Sequence, residues 1–145
     1  MKVIDAEGMI LGRLASKIAK ELLDNEKAGE GEEIQIINAE KAVVVGTKDA
    51  ILKRYKFMRE VGSVRKGPFY PRMPDRIFKR TVRGMIPYQK PLGRTAYRRM
   101  KAYIGIPEDL KEAKPTVYEE VRHRKGTAMS LNEIARYLGA NIRWE

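Results

Sequence analysis

Cysteine is absent from this 145-residue chain, so it has no disulfide, no thiolate metal site and no cysteine nucleophile. Histidine occurs once, at position 123. A lone imidazole excludes H-E-x-x-H and paired-histidine metal spacing, and no G-x-S-x-G is present. Long apolar runs are missing too: nothing approaches the roughly 18 residues that a membrane span needs. The opening MKVIDAEGM lacks the apolar segment, about 7–15 residues long, of a secretory signal. These absences lead us to expect a soluble, cytoplasmic, non-enzymatic chain with no cofactor, no metal, no membrane and no small-molecule substrate. By length it is one domain over residues 1–145. A domain of this size buries about 68–70% of its unfolded surface, enough for a core without staples.

Acids are scarce in the middle of the chain. Residues 53–103 hold 16 Lys and Arg against only Glu60 and Asp75, a local net charge of +14. The rest of the chain holds 14 basic and 17 acidic side chains, a net of −3. The stretch RTVRGMIPYQKPLGRTAYRRMKAYIG, at 80–105, carries seven cations and no carboxylate. Self-repulsion opposes folding of such a run, so a polyanionic partner is expected. A solvated face would mix matching acids among the bases. A membrane-surface helix would set large apolar residues opposite them. Nucleic acid fits better than either. Arginine exceeds lysine 10 to 6 in this region, which favours planar, bidentate phosphate contacts.

RNA is favoured over DNA. There is no helix-turn-helix spacing, no zinc-finger ligand set and no zipper. Phe57, Phe69, Tyr70, Tyr88, Tyr97 and Tyr103 are interleaved with the cations, a mixture suited to unstacked bases in irregular RNA. Tyr70 and Tyr88, in proline-flanked loops, are the stacking candidates. Phe78 and Tyr103 read as core.

Residues 2–6 read as a strand. Leu11, Leu14, Ala15, Ile18, Ala19, Leu22 and Leu23 form one helical stripe, followed by a polar loop over 24–33. IQIINA (34–39) and AVVVG (42–46) read as strands, so the chain opens with a βαβ unit and a partly parallel sheet. Thr47 is placed to cap a helix that Gly62 ends, and Asp75 to cap a second one. In that second helix Ile77, Phe78, Val82 and Met85 oppose Arg76, Lys79, Arg80 and Arg83. A third cationic helix is expected from Leu92 to Tyr103, with Leu92, Ala96, Met100 and Tyr103 on one side. Arg94, Arg98 and Lys101 lie opposite them. Further on, a short extended piece is expected around Thr116–Val121. Ser130 and Glu133 form a capping box for a helix at 130–138, and NIRWE is a candidate edge strand.

Gly8 and Gly12 flank a strand-to-helix turn with phosphate-binding character. It lacks the third glycine of a dinucleotide fingerprint, and no P-loop occurs. The alternative function that it suggests is a nucleotide-binding α/β enzyme, with Arg13 placed to meet a phosphate. Asp5 and Glu7 read as turn and capping residues, and His123, amid RHRKG, as a surface histidine.

IDAEGMILGRLAS, IQIINAEKAVVVG, KGPFYPRMP, VRGMIP and LGRTAYRRMKAYIGIP span residues 4–107. In this combination the chain resembles the large-subunit ribosomal protein L13 family, in its archaeal form. Many relatives have a histidine near KGPFYP, so no imidazole role is carried over there. The resemblance implies a three-layer α/β/α fold with a four-stranded, mostly parallel sheet, to which the basic helices and loops are added. It also implies large-subunit rRNA and neighbouring ribosomal proteins as partners, a role in subunit assembly, and no catalysis. On this reading Lys66, Arg72, Arg76, Lys79, Arg80, Arg83, Lys90, Arg94, Arg98, Arg99 and Lys101 contact phosphate and sugar.

Overall fold

A computed structural model describes residues 1–141. From position 142 on, the expected NIRWE strand lies outside the described residues. The chain opens as strand β1 (Lys2–Asp5), helix α1 (Leu11–Ala28) and strand β2 (Ile34–Ile37), with β1 and β2 parallel in register from Lys2↔Ile34 to Asp5↔Ile37. All four residues of β2 are buried, as suits an apolar strand covered on both faces. The expected stripe of α1 is its buried side, Leu23 lying half-buried beside it. The helix runs through the expected loop as far as Ala28, because Glu26, Lys27 and Ala28 are good helix formers. It stops at Gly29, whose φ is +74°. Gly29 N–H donates to Glu26 O at 3.2 Å and Glu30 N–H to Asn25 O at 3.0 Å, a Schellman pairing.

The Val-rich run leaves this sheet. Strand β3 (Val43–Val45) instead pairs antiparallel with β5 (Ala128–Ser130). Helix α2 (Lys48–Glu60) follows. Thr47 stands at its N-cap position but makes no side-chain cap bond. Helix α3 (Pro74–Met85) starts two residues earlier than expected. Pro74, with no N–H to satisfy, takes the first helical position. Asp75 therefore sits inside the first turn, where its charge meets the helix dipole. Ile77, Phe78 and Val82 are fully buried, each worth about 1.5–3 kcal/mol. Met85 is exposed, and Ile86 reaches the core in its place.

The largest departure from expectation lies after α3. Helix α4 is short (Pro91–Arg98), and the chain then becomes strand β4 (Met100–Ala102), parallel to β2. Ile34 N–H donates to Arg99 O at 2.9 Å and Tyr103 N–H to Ile36 O at 2.8 Å. Met100 is buried and Lys101 exposed. The period-2 alternation there outweighs the helical spacing of Ala96, Met100 and Tyr103, because β2 offers a free ladder edge. Lys101 is thus a strand residue.

Among the described residues the main sheet has three parallel strands, in the order β1-β2-β4, and not four. Thr116 adds a single parallel bridge to Ile4, with Thr116 N–H donating to Val3 O at 2.8 Å and Asp5 N–H to Thr116 O at 3.1 Å. Soon afterwards the chain winds into a 3-10 turn at Glu119–Val121, which halts the ladder. The last element among the described residues is α5 (Leu131–Tyr137). Here the serine half of the expected capping box is formed: Glu133 N–H donates to Ser130 Oγ at 3.3 Å. Helix α1 packs on α3 and α4, so the cationic helices are seated on the same element that covers the sheet. No described helix is long and apolar enough to cross a membrane.

Candidate nucleic-acid interface

Amphipathic α3 builds the centre of the site. Its buried side is fixed by Ile77, Phe78 and Val82, so Arg76, Lys79, Arg80 and Arg83, at i, i+3, i+4 and i+7, are turned outward. These four line a groove of ≈ 280 Å³ with Phe69, Pro71 and Tyr97, and among the described residues no carboxylate lines it. Like charges at this spacing cost a few tenths of a kcal/mol per pair. Aromatic rings offset part of that. Lys79 Nζ lies 5.4 Å from the Tyr97 ring centroid, Arg80 Cζ 5.0 Å from that of Tyr70 and Arg83 Cζ 4.2 Å from that of Tyr88. Each such contact is worth about 0.5–1 kcal/mol at an exposed site. Among the described residues, none of the four cations has an ion pair.

The structure places the other expected cations differently. Arg72 is exposed beside Arg59 at the end of α2. Lys66 is exposed on the 62–67 hairpin. Lys90, Arg94, Arg98 and Lys101 are exposed on α4, its N-terminal flank and β4, but α4 lends the groove only Tyr97. Arg99 turns inward. Its Nε donates to Glu26 Oε2 at 2.9 Å and its Nη1 to Gly31 O at 2.7 Å, which ties β4 to the end of α1.

The tyrosines also differ from expectation. Tyr70 is half-buried, edge-on to Tyr55 with centroids 6.0 Å apart, and Tyr88 is half-buried under Arg83. Both already carry a guanidinium. The open rings are Phe57 and Phe69, which are 63% and 64% exposed. A phenylalanine has no polar tip to hold in water, so its exposure beside cations is the signal that marks Phe69. Phe78 is core, as expected, and Tyr103 packs against a small cluster of Val3, Ile37 and Leu110.

Burial pushes the Tyr55 hydroxyl up to about 12, with the nearby Tyr70 adding to it against Arg54. Burial also raises Tyr70, against the pull of Arg80 and Arg54, and Tyr97, against that of Arg83. A phenol with a raised folded pKa keeps its proton longer in the folded state. Its contribution is complete below the unfolded value and is lost as pH rises through the folded one. Urea unfolding at about pH 9 and about pH 11 should therefore show lower stability at the higher pH. Ultraviolet titration should show these phenols ionising late in the native protein and early in denaturant. Equal native and denatured titrations would contradict the burial of these rings.

The Gly8–Gly12 turn has little to offer a phosphate. Gly8 N–H donates to Lys41 O at 3.1 Å, Met9 N–H to Ala6 O at 3.1 Å and Ile10 N–H to Val121 O at 2.9 Å, so these donors are spent. Asp5 Oδ1 accepts from Glu7 N–H at 2.9 Å and Asn38 Nδ2 at 3.1 Å, as a turn residue does. His123 Nε2 lies 3.0 Å from Gly126 O. Among the described residues no group of three or more metal-ligating side chains is present.

A family model described as ribosomal protein L13 matches residues 1–109. Curated relatives carrying the name large ribosomal subunit protein uL13 match nearly end to end. The Archaeoglobus fulgidus protein is 48% identical, over 94% of this chain and 86% of its own. The Methanosarcina barkeri protein is 45% identical, over 98% and 100%, and that of Methanocaldococcus jannaschii 48%, over 98% and 100%.

Proposed function

The chain belongs to the ribosomal protein L13 family, and from that premise we propose that its α3 groove and the exposed cations around it hold the phosphate backbone of large-subunit rRNA. It is a structural component of the large ribosomal subunit in the cytoplasm, and not an enzyme. The observation that carries the rRNA reading is the α3 groove: four cations, aromatic walls and, among the described residues, no lining carboxylate. Arg76, Lys79, Arg80 and Arg83 form the centre of the contact. Lys66, Arg72, Lys90, Arg94, Arg98 and Lys101 extend it, and Arg99 acts by fixing β4. Tyr70 and Tyr88 seat cations, and Phe69 is the ring that is open to a base. The acidic remainder is available to neighbouring ribosomal proteins and, with the RNA contact, supports subunit assembly. The whole chain acts as one unit here, because the main core cluster draws on residues from Ile4 to Leu138. The Thr116 bridge is the element from which the four-stranded, three-layer arrangement of the family resemblance would be completed.

Salt tests this reading. If about 6–10 phosphates are neutralised together, affinity for rRNA fragments should fall about 10³–10⁵-fold between 50 and 200 mM salt, on the duplex-DNA slope. Filter binding across that range checks it. An affinity that ignores salt rejects the interface.

A further inference from the structure

A second cationic hollow is assembled from segments that the charge count along the chain leaves outside the basic third. The turn before α1 pairs with the 121–127 segment through an antiparallel Met9↔Arg122 bridge. Ile10 N–H donates to Val121 O at 2.9 Å and His123 N–H to Gly8 O at 3.0 Å, while Gly46 N–H donates to Thr127 O at 2.9 Å. These bonds lay Arg122-His123-Arg124-Lys125 beside the first turn of α1, which carries Arg13. The open groove between them has a volume of ≈ 610 Å³, about twice that at α3.

Four cations line this groove, Arg13, Arg122, Arg124 and Lys125, and one carboxylate, Glu120. The carboxylate is already taken, since Lys17 bonds it and holds its pKa low. Arg122 is matched in turn by Glu119, through Nε at 2.8 Å and Nη2 at 3.1 Å. Arg124 feels Glu119 only through space. Arg13, Arg124 and Lys125 are exposed, and among the described residues none of their side chains has a hydrogen bond or ion pair. The groove is thus an unneutralised positive site held by a backbone clamp.

We propose that this groove binds a second stretch of RNA backbone, apart from the one at α3, so that one protein fastens two RNA segments. The inference rests on the rRNA reading above. RNA suits the site better than an acidic protein. Guanidinium groups predominate, and their fork matches phosphate oxygens. Protein partners need buried aromatic or aliphatic anchors, and here only Ile10 and Val45 supply apolar wall.

The test uses the full chain and deproteinised large-subunit rRNA. The variant Arg13→Gln/Arg124→Gln/Lys125→Gln changes only exposed side chains and leaves the Arg122–Glu119 pair alone. Circular dichroism verifies its fold. In hydroxyl-radical footprints the unaltered protein should protect two separate tracts. The triple variant should lose one tract, keep the other, and show a salt slope shallower by about 2, from about 0.7 per single-strand phosphate. Arg76→Glu/Arg83→Glu should lose the other tract. A triple variant that keeps both tracts and the full slope overturns the second site and leaves the α3 reading standing. Footprints unchanged by either variant overturn the rRNA reading itself. If the triple variant keeps both tracts but no longer binds a poly-glutamate peptide, the groove is an acidic-protein site and the RNA proposal fails.

Discussion

The Gly93→Ala variant should lose about 3 kcal/mol or more of stability, beyond the usual range for a single added methyl. Gly93 lies in the first turn of α4, against the loop that leaves α3. A Cβ built there falls 2.0 Å from Pro87 O, 2.4 Å from Pro87 C and 3.0 Å from Tyr88 N. These are backbone atoms, so no side chain can swing aside. They are also in use: Lys90 N–H donates to Pro87 O at 3.0 Å and Tyr88 N–H to Ile86 O at 2.7 Å. Relief therefore requires α4 to shift, which would pull buried Ala96 and the start of β4 with it. For a chain of this size the melting temperature should fall by roughly 6–12 °C. Gly84 is the internal comparison. It lies within α3 with nothing within 4 Å of a new Cβ. Gly84→Ala should gain about 0.5–1 kcal/mol through backbone entropy. A Gly93→Ala protein that melts with the parent would show that α4 does not pack so closely on the 86–88 turn.

Arg76→Glu/Arg83→Glu should weaken rRNA binding at physiological salt without abolishing it, while the protein stays folded. Both side chains are exposed and without an ion pair among the described residues, so their removal leaves no buried charge unmatched. Each reversal deletes a phosphate contact and sets like charges together, at a combined cost of several kcal/mol. Every 1.4 kcal/mol or so is tenfold, so affinity should drop more than about 100-fold. Gel shift or filter binding measures it, with circular dichroism as the check on folding. Binding within about threefold of the parent would remove α3 from the interface.

The order of elements in the first forty residues was legible, though not the last turn of α1, because local pattern and tertiary need coincide there. An apolar strand, a seven-residue helical stripe and another apolar strand admit one parallel pairing. The side chains of α3 were legible for the same reason, since its apolar and cationic sets fall on opposite sides. The stretch from Ala96 to Tyr103 was not. Its apolar spacing fits a helix, while Met100-Lys101-Ala102 also alternates, and only the open edge of β2 decides between them. Pairings across long separations were equally hidden. Arg99 meets Glu26 from 73 positions away, and the bridge at Thr116 depends on where β1 lies. Tyr70 and Tyr88 read from the sequence as stacking rings. That their own ring faces are taken by Arg80 and Arg83 follows from the path of the loops after folding. Phe69 is the reverse case, a ring whose openness no local pattern discloses.

The tyrosine seats under Lys79, Arg80 and Arg83 have an entropic consequence. A free lysine or arginine samples many rotamers, and fixing one on a partner costs about 0.5–1.5 kcal/mol. Here three cationic arms rest on rings before any nucleic acid arrives. Much of that ordering is completed when the polypeptide folds, so association forfeits less motion at these three positions than at unsupported Arg94 or Arg98. Removing the phenyl support at Tyr88 would leave the charge of Arg83 intact and still weaken the grip, by returning a long side chain to its full freedom.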